Sequence, residues 1–586
     1  MIRTKGKPGT SLIDLLISIA IIAVLFGGIY LVYFSLITAL ANVSVRTAAT
    51  TAIQAEIEMI RNLPYASVGT VGGVPSGVIP QVQAITSGNF DFSLQTTVRN
   101  IDDPFDGVLG GTPNDTAPDD YKLVQIDANC PLCEAAISVS ITTTVAPKSL
   151  ESATQDGSLF VYALDANGNP VSGANVTVVN ASVTPSINLT DTTNASGVLE
   201  LVGTPTSTQS YQITVTKQGY STDQTYPPGG ASNPNPVIPN ATVIPQTVTA
   251  VTLSVDRLST LAVSTVNDIC EAVGKSPFTM QGGKLIGTSP NVYKFSTSTK
   301  TGATGTLAMN NIEWDTYTLR SQDASSDVAG TIPFNPITID PSSTASFMFV
   351  LQPAADPSLL VSVADAGTGA GVPNAVVTLS GPSSSTLTTG HEFVTQSDWS
   401  GGQFASQSGG MDADSKPGEI TLLLNASGTY NTNTFDWMIS NTFDVGGSSS
   451  TFFSFYFDPL SQPSGTLVRF QIAANKDNAT WNFVGPDGTS NTYFTTSSTI
   501  PASLSGNRYV RYEVWLNTTD PSVTPEIDDA SLEFHADCVP PAQAFFTSLP
   551  QGTYSVDVTA PNYFEATTTV AVGSGEATST VSLTHQ

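Results

Sequence analysis

The sequence predicts an α+β module, in which a long N-terminal membrane helix is joined to a small antiparallel sheet, followed by all-β sandwich domains. An uncharged apolar stretch covers residues 15–41, which is longer than the ~20 residues that a helix needs to cross a bilayer. Beyond it, Ser and Thr alternate with apolar residues in short runs, as is typical of half-buried strands. Turn residues are abundant, with 47 Gly and 38 Pro among 586 positions.

The composition excludes one class of function and disfavours another. The chain has 48 acidic and 20 basic residues and a net charge of -28. A nucleic-acid-binding protein needs clustered Lys and Arg to neutralise phosphates, so we expect no nucleic-acid partner. Only 3 histidines are present, which leaves little material for zinc hydrolysis or a histidine base. We therefore expect neither enzymatic activity nor a cofactor, although carboxylate-only catalysis stays open.

The N-terminal region has the charge pattern of a membrane anchor. Residues 1–9 contain Arg3, Lys5 and Lys7, and the apolar segment follows over residues 12–41. A basic flank keeps the N-terminus cytoplasmic, so we expect the bulk of the chain to be extracytoplasmic. No convincing secretory cleavage site follows the apolar region. The helical pattern continues through Leu63, and Pro64 ends it.

An acidic residue, Asp14, lies at the head of this segment, in the string Gly9-Thr10-Ser11-Leu12-Ile13-Asp14. A carboxylate there is a functional candidate unless it lies at the interface, where charge costs little. The string resembles the class III signal of type IV prepilins and type II secretion pseudopilins. The resemblance implies that prepilin peptidase cuts between Gly9 and Thr10, that Thr10 becomes N-methylated, and that Asp14 neutralises the terminal amine of a neighbouring subunit.

Two departures from this pattern concern the residue types. The first mature residue of these proteins is usually Phe or another large apolar residue, where this chain has Thr10, and the acid is usually Glu, where it has Asp14. Both departures suit a minor subunit better than a major one. The resemblance covers about residues 1–150 and implies a leader over residues 1–9, a helix over residues 10–64 and a β head over residues 65–152.

The predicted head contains strands at residues 90–98, 121–127 and 136–145. Cys130 and Cys133 lie at the turn between the last two strands, where we expect a disulfide or two free thiols. Redox or metal-binding roles for this CxxC are weaker alternatives. Asp102, Asp103 and Asp106 are close enough in sequence to coordinate calcium, and a simple polar turn is the alternative.

Three related segments follow the head, each predicted to be a small antiparallel β-sandwich. They cover residues 153–256, residues 257–355, and a split third copy at residues 356–394 and 536–586. Their sequence motifs, "Gly-x-Pro-Val-x-Gly-Ala-x-Val" and "Leu-Pro-x-Gly-Thr-Tyr", resemble those of carboxypeptidase regulatory-like, transthyretin-related domains. The resemblance implies that these segments serve as a stalk or spacer. The pairing of Cys270 and Cys538, one in each of two copies, stays open.

Residues 395–535 are predicted to be a domain inserted into the third sandwich, and they are rich in aromatic residues, with 20 of the 48 in the chain. Predicted strands lie at residues 466–473, 479–484 and 509–516, and the sequence of the segment resembles jelly-roll, discoidin or concanavalin-type modules. Many of these bind sugars on an exposed aromatic side chain. We expect most of the aromatic residues to fill the core. Trp399 and Trp481 are the candidates for ligand stacking, because both lie in loop-like sequence.

Together these features predict a minor pilin or pseudopilin-like filament subunit, which displays a modular β-sandwich tip for surface adhesion or ligand binding. The expected partners are prepilin peptidase, other pilin subunits, the membrane, and a carbohydrate or host-surface ligand. One alternative is a signal-anchored surface stalk protein with an uncut helix. Another is a carbohydrate-active module on the insert, which would need two carboxylates facing a cleft. Asp528 and Asp529 are adjacent and would point to opposite faces of a strand, which weakens that alternative.

Overall fold

A computed structural model describes residues 12–131, 133, 137–148, 155–355 and 357–586, without the side chains of Leu12 and Asp14. The chain divides into two units, Met1–Arg257 with Leu285–Val292, and Leu258–Lys284 with Tyr293–Gln586. The predicted fold class is confirmed, because one long N-terminal apolar helix precedes a body of β-sheets. The leader residues Gly9 and Thr10 lie outside the described part of the chain.

Helix α1 covers Leu12–Arg61. Sequence reasoning placed its end two residues later, at Leu63. The N–H groups of Asn62 and Leu63 bond instead to the carbonyls three residues earlier, at 3.2 and 3.1 Å. These shorter-range bonds tighten the last turn before Pro64, which has no N–H to continue the helix. A short 3-10 turn, Tyr65–Ser67, follows.

The head sheet has the antiparallel order β1-β2-β3-β4. Its strands are β1 Val82–Ser87, β2 Phe90–Ile101, β3 Tyr121–Asn129 and β4 Ser138–Val145. The three predicted strands correspond to β2, β3 and β4, while sequence reasoning missed β1. The inner face of the sheet contributes alternate residues of β2 and β3, such as Leu94 and Val124, to a core shared with α1.

The first sandwich has one sheet of order β12-β5-β8 and another of order β10-β9-β6-β7, with β11 on β9. Its strands are β5 Gly157–Leu164, β6 Asn175–Asn180, β7 Ile187–Thr192, β8 Val198–Thr204, β9 Ser207–Thr216, β10 Asp223–Gln224, β11 Ala241–Val243 and β12 Val248–Ser254. Apolar residues from both sheets, including Leu159 and Ile213, fill the space between them.

The second sandwich has sheets of order β18-β13-β22-β20 and β17-β14-β19-β21, and β15 pairs with β16 in a separate ribbon. The strands of the two sheets are β13 Ser259–Val266, β14 Pro277–Gly282, β17 Ser296–Lys300, β18 Thr306–Ile312, β19 Asp315–Ser321, β20 Ser326–Ile332, β21 Ile337–Ile339 and β22 Thr344–Pro353, and those of the ribbon are β15 Leu285–Gly287 and β16 Val292–Tyr293. Phe278, Phe347 and Phe349 lie in its core.

The third sandwich and the intervening sheets alternate along the chain. One set of strands is β23 Ser358–Asp365, β24 Val376–Ser380, β25 Ser385–Thr388, β38 Gln543–Phe546, β39 Gly552–Thr559, β40 Ala566–Val572 and β41 Glu576–Leu583, which form sheets of order β38-β23-β41 and β25-β24-β39-β40. Both ends of this segment of chain therefore contribute to the same two sheets.

The strands between β25 and β38 form sheets of their own, which we call the insert. Their orders are β26-β37-β32-β34, β27-β30-β35-β31 with β33 on β35, and β28-β29-β36. The strands are β26 Glu392–Gln396, β27 Phe404–Gln407, β28 Met411–Asp412, β29 Ile420–Leu422, β30 Asp436–Ser440, β31 Phe443–Asp444, β32 Thr451–Asp458, β33 Thr466–Asn475, β34 Ser498–Thr499, β35 Tyr509–Thr518, β36 Glu526–Ile527 and β37 Asp529–His535.

Two features of the β body differ from the sequence-based prediction. Each of the three sandwiches contains one parallel pair, formed by β5 with β12, by β13 with β22 and by β23 with β41, so the sheets are mixed rather than purely antiparallel. The strand predicted at residues 479–484 is absent, and only Val484 forms a bridge, to Ile472. The chain turns directly after β33, because the Asp477 carboxylate accepts hydrogen bonds from the N–H groups of Ala479 and Thr480.

Candidate functional site

Helix α1 has two halves with different surroundings. From Ile13 to Leu40, its large apolar side chains are exposed on every face, and by length and composition this half can cross a membrane. From Val45 onward only one face is apolar, and Ala49, Ile53 and Ile60 on that face are buried in the head core. Spacings of three and four residues place these positions along one stripe of the helix. The first half therefore needs an apolar environment that the head does not supply.

The side chain of Asp14 lies outside the description, although its backbone belongs to α1. Its predicted role in assembly therefore stays a prediction, as do the cleavage and methylation at Gly9 and Thr10.

The turn between β3 and β4 is closed by a disulfide between Cys130 and Cys133. Cys130 is almost fully buried in the head core, and its backbone N–H bonds to the carbonyl of Ile137 at 3.4 Å. Both positions belong to the apolar cluster that packs on α1. This arrangement gives the disulfide the structural role of closing the chain segment that follows β3, beside the helix.

The three carboxylates proposed as calcium ligands do not come together as one ligand set. One oxygen of Asp102 accepts the backbone N–H of Leu109 at 2.8 Å, and one oxygen of Asp103 accepts that of Phe105 at 3.2 Å. These are the bonds of a polar turn. Within the described ranges, no group of three or more His, Cys, Asp or Glu residues is placed to hold a metal ion.

Trp399 is fully buried in the insert core, so its prediction as a ligand-stacking residue is wrong. Its indole N–H donates to the Tyr512 hydroxyl at 2.7 Å, and that hydroxyl donates to the side-chain carbonyl of Gln396 at 2.8 Å. A buried indole needs such a partner. The Gly and Ser residues around Trp399 form a 3-10 turn, Ser400–Gly402, which allows the ring to point inward.

Trp481, the other stacking candidate, is half-buried on the surface of the insert. The guanidinium of Arg511 lies 4.5 Å from the centroid of its ring. The Arg511 Nε–H also donates to the Thr442 hydroxyl at 2.8 Å. Arg511 belongs to β35, whose residues alternate between buried apolar and half-buried polar or aromatic side chains. Trp481 therefore marks one end of a surface made by this sheet.

We call that surface the outer face. It is formed by side chains that point away from the insert core on strands β30, β33 and β35, on the residue before β30, and on the segment between β33 and β34. They are Phe435, Trp437, Ile439, Arg469, Gln471, Trp481, Tyr493, Arg511, Glu513 and Trp515. Strand register defines its rows. Trp515 lies between Trp437 and Arg469, and Glu513 lies between Ile439 and Gln471.

Arg469 is enclosed by aromatic rings at one end of the outer face. Its guanidinium carbon lies 4.0 Å from the ring centroids of both Phe435 and Tyr493 and 5.6 Å from that of Trp515. Tyr493 and Trp515 pack edge to face at 5.3 Å. Ring faces attract a cation and hold its plane in one orientation. The Nε of Arg469 is buried without a hydrogen-bond partner.

The middle row contains Glu513, whose carboxylate makes no hydrogen bond or ion pair in the described part of the chain. Burial raises the pKa of Glu513 to about 7, because the surrounding protein removes part of the water that would stabilise the ionised carboxylate. Across the strand, the Gln471 amide donates to the carbonyls of Ser490 and Thr492 at 2.9 and 2.8 Å, which holds the neighbouring loop beside this row.

Sequence reasoning missed Arg469 and Glu513 as members of this surface. The alternation of Arg511, Glu513 and Trp515 with Val510, Tyr512 and Val514 was visible in the sequence and indicates that they share a face. The position of Arg469 beside Trp515 depends on the register of β33 on β35, and no sequence spacing specifies that register.

Comparisons with known proteins add no family. No protein-family model matches the chain, and no curated protein is similar to it. Among solved structures, the chain is similar to the Bacillus anthracis TIE protein, with 11% identity, a TM-score of 0.16 and coverage of 86% of this chain and 73% of that one.

The shaft pilin SpaA of Lactobacillus rhamnosus GG has 12% identity and a TM-score of 0.14, over 34% of this chain and 98% of its own. The minor pilin GBS52 of Streptococcus agalactiae has 11% identity and a TM-score of 0.17, over 34% of this chain and 96% of its own. Similarity at this level assigns neither a family nor a function to the chain.

Proposed function

We propose that this chain is a membrane-processed subunit of a pilin-like filament, a minor pilin or pseudopilin that displays β domains for surface adhesion or ligand binding. One observation carries the proposal. A single helix exposes apolar side chains on every face from Ile13 to Leu40 and then buries one face in a small antiparallel sheet from Val45 to Ile60. A subunit that waits in a membrane and later packs its helix among other helices needs these two halves.

The apolar half serves both environments. In the bilayer it is covered by lipid, and in a filament it is covered by the helices of neighbouring subunits. The residues of the string Gly9–Asp14 supply the processing signal, with prepilin peptidase as the first partner and other subunits as the second. The β body, with its excess of acidic residues, resists non-specific adhesion. The proposal gives the chain a structural role and no catalytic step.

The test is a mass spectrum of the N-terminal peptide of the native protein, taken from a filament or surface fraction. A peptide that starts at Thr10 and carries one extra methyl group supports the proposal. A peptide that starts at Met1 overturns it and leaves a signal-anchored stalk protein.

A matched pair of variants makes the test sharper. Gly9→Leu removes the small residue at the cleavage position, and the protein should keep residues 1–9 and stay in the membrane fraction. Gly6→Leu, in the same leader and outside the motif, should leave processing unchanged. Equal processing of both variants would contradict cleavage after Gly9.

A further inference from the structure

The outer face of the insert presents hydrogen-bonding groups that the protein itself does not use. In the part of the chain that the structure describes, the indole N–H groups of Trp437 and Trp515 donate to no acceptor, and the Glu513 carboxylate accepts from no donor. The Arg469 guanidinium contacts aromatic rings, and its Nε has no hydrogen-bond partner among the described residues. Stacked rings with donors and an acceptor at their edges are typical of a binding surface.

The two arginines of the outer face also differ from Arg99 and Arg508, which have acidic partners. Arg99 binds Asp191, and Arg508 binds Asp444, each through two nitrogen–oxygen contacts. Neither Arg469 nor Arg511 has a carboxylate partner among the described residues. Arg257 and Arg320 also have no carboxylate partner among the described residues, but Arg469 and Arg511 lie on one face together with aromatic rings. This pairing of two guanidiniums with aromatic rings on one face fits a ligand that supplies an acidic group.

The geometry favours sugars over other anionic ligands. Arg469 and Arg511 are separated by the row of Glu513, which is about 13 Å along the strand direction, from Trp515 to Arg511 at about 3.3 Å per residue. A peptide that adds a strand needs an open backbone edge, whereas this face presents side chains. A nucleic acid presents a continuous row of phosphates and needs a row of cations, whereas this face has two arginines separated by the row of Glu513. Sugar rings can stack on indole faces and place hydroxyls and a carboxylate at their edges.

We propose that the outer face binds an acidic oligosaccharide, with sugar rings on Trp437 and Trp515, a ring hydroxyl at Glu513, and the sugar carboxylate at Arg469 or Arg511. An arginine binds a carboxylate through two parallel N–H bonds, and one already held between rings loses little side-chain freedom on binding. The inference rests on the proposed function in one respect: it names the ligand that the displayed β domains would bind at a surface.

The acid–base behaviour of Glu513 gives the site an expected pH dependence. The side chains that face it are Arg511 and Trp515 on its own strand, Ile439 and Gln471 across the sheet, and Arg469 in the next row. Below about pH 7 the protonated carboxyl can donate to a hydroxyl, and above that pH its charge repels the carboxylate of the ligand. Binding is therefore tighter at pH 5.5 than at pH 8.5, and Glu513→Gln should remove the difference.

The experiment uses the full chain in a polyoxyethylene detergent, because a glycoside detergent would compete for the site. The probes are two matched pairs: the trimer of galacturonic acid with its carboxyl-reduced form, and sialyllactose with lactose. We expect at least one acidic probe to bind at least tenfold more tightly than its neutral partner. Failure of both acidic probes to bind, or equal binding within both pairs, overturns the inference.

Variants locate the site. Trp515→Ala, and at least one of Arg469→Gln and Arg511→Gln, should weaken binding of the acidic probe at least tenfold. Lys416→Gln removes a positive charge elsewhere on the insert, where Lys416 pairs with Glu419, and should change binding less than twofold. The Arg469 guanidinium lies between two rings with its Nε buried, so Arg469→Gln can disturb folding, which thermal unfolding checks. Arg511→Gln, and Trp481→Ala, which removes the ring against Arg511, then test the site at its other end and should weaken binding. Wild-type binding by all of the folded outer-face variants overturns the assignment.

Failure of this inference is distinguishable from failure of the proposed function. Sugar binding by the detergent-solubilised chain does not require filament assembly, and the N-terminal mass does not require a ligand. If the chain starts at Met1 and binds the acidic probe, the binding site is supported and the filament proposal is overturned. If the chain starts at methylated Thr10 and binds neither acidic probe, the filament proposal is supported and the binding site is overturned.

Discussion

Cys270 and Cys538 are joined by a disulfide although 268 positions separate them in the chain. Cys270 follows β13 of the second sandwich, and Cys538 follows β37 of the insert. Both sulfurs lie in a small apolar cluster with Val350 and Met348. The bond therefore fastens a loop of the second sandwich to the segment by which the chain leaves the insert and returns to the third sandwich.

We expect Cys270→Ser, Cys538→Ser and the double variant to destabilise this part of the protein equally. In the chain-entropy description a bond that closes so long a loop contributes about 2–5 kcal/mol. Urea unfolding of the three variants measures the loss. Cys130→Ser is the matched control, because its bond closes a separation of only 3 positions and should matter less. Unequal midpoints among the three would show that the sulfhydryls, rather than the bond, affect stability.

The ion pair between Arg99 and Asp191 should fix the head sheet to the first sandwich. Two contacts, at 2.7 and 2.5 Å, join strands β2 and β7, and the Asp191 side chain is only 5% exposed. Asp191→Asn leaves a largely buried guanidinium without its anion, which we expect to cost about 3 kcal/mol. Hydrogen exchange in β2 and β7 reports the loosening.

The exposed pair of Arg61 with Glu58 is the control for this prediction. Its side chains are 52% and 69% exposed, and exposed pairs contribute little to stability. Glu58→Gln should therefore leave exchange in β2 and β7 unchanged. An equal response to Asp191→Asn and Glu58→Gln would contradict a structural role for the buried pair.

Stability should depend on pH through Glu392, at the start of β26. Burial raises the pKa of Glu392 to about 7, and the negative charge of Asp268 adds to the effect. Folding therefore disfavours the ionised form, and the stability present below the ordinary pKa is lost as pH rises through about 7. Glu392→Gln should raise Tm by about 5 °C at pH 8 and leave it unchanged at pH 4.5. Glu565 is exposed, so Glu565→Gln should leave Tm unchanged at both pH values. If Glu392→Gln raises Tm at pH 4.5 as much as at pH 8, the effect comes from packing rather than from the charge.

Replacement of Asp14 should separate processing from assembly. Asp14→Ala should leave the cut after Gly9 intact but lower incorporation into filaments by more than about tenfold, since removing one partner of a buried charge pair is strongly destabilising. Asp14→Glu keeps the charge and should incorporate. The ratio of filament to membrane protein on immunoblots measures the effect, and unchanged incorporation of Asp14→Ala would refute the pairing with a neighbouring amine.

Local chemistry made some elements predictable. The helix end was placed within two residues because Pro64 cannot donate a backbone hydrogen bond. The strands β33 and β35 were visible because apolar and polar residues alternate along them. The three related sandwiches were recognisable as β-rich segments, but the parallel pairing of their first and last strands was not, because strand direction within a sheet depends on contacts far apart in sequence.

Other features depended on tertiary packing. Gly and Ser residues around Trp399 favoured an exposed loop, yet the large hydrophobic area of the indole and its bond to Tyr512 favour the core. The pairing of Cys270 with Cys538 depends on how the segments of the second unit pack. Residues 479–484 contain apolar residues at strand-like spacing, but the Asp477 turn diverts the backbone before a second strand can form beside β33.

The parallel pairs of the three sandwiches have a mechanical consequence. Because β5 and β12, β13 and β22, and β23 and β41 run in the same direction, the start of the first strand and the end of the last lie at opposite ends of each pair. A pull on the two ends of such a domain loads the interstrand hydrogen bonds in shear, all at once, rather than opening them one after another. We therefore expect each sandwich to resist mechanical unfolding when the chain is pulled from its two ends.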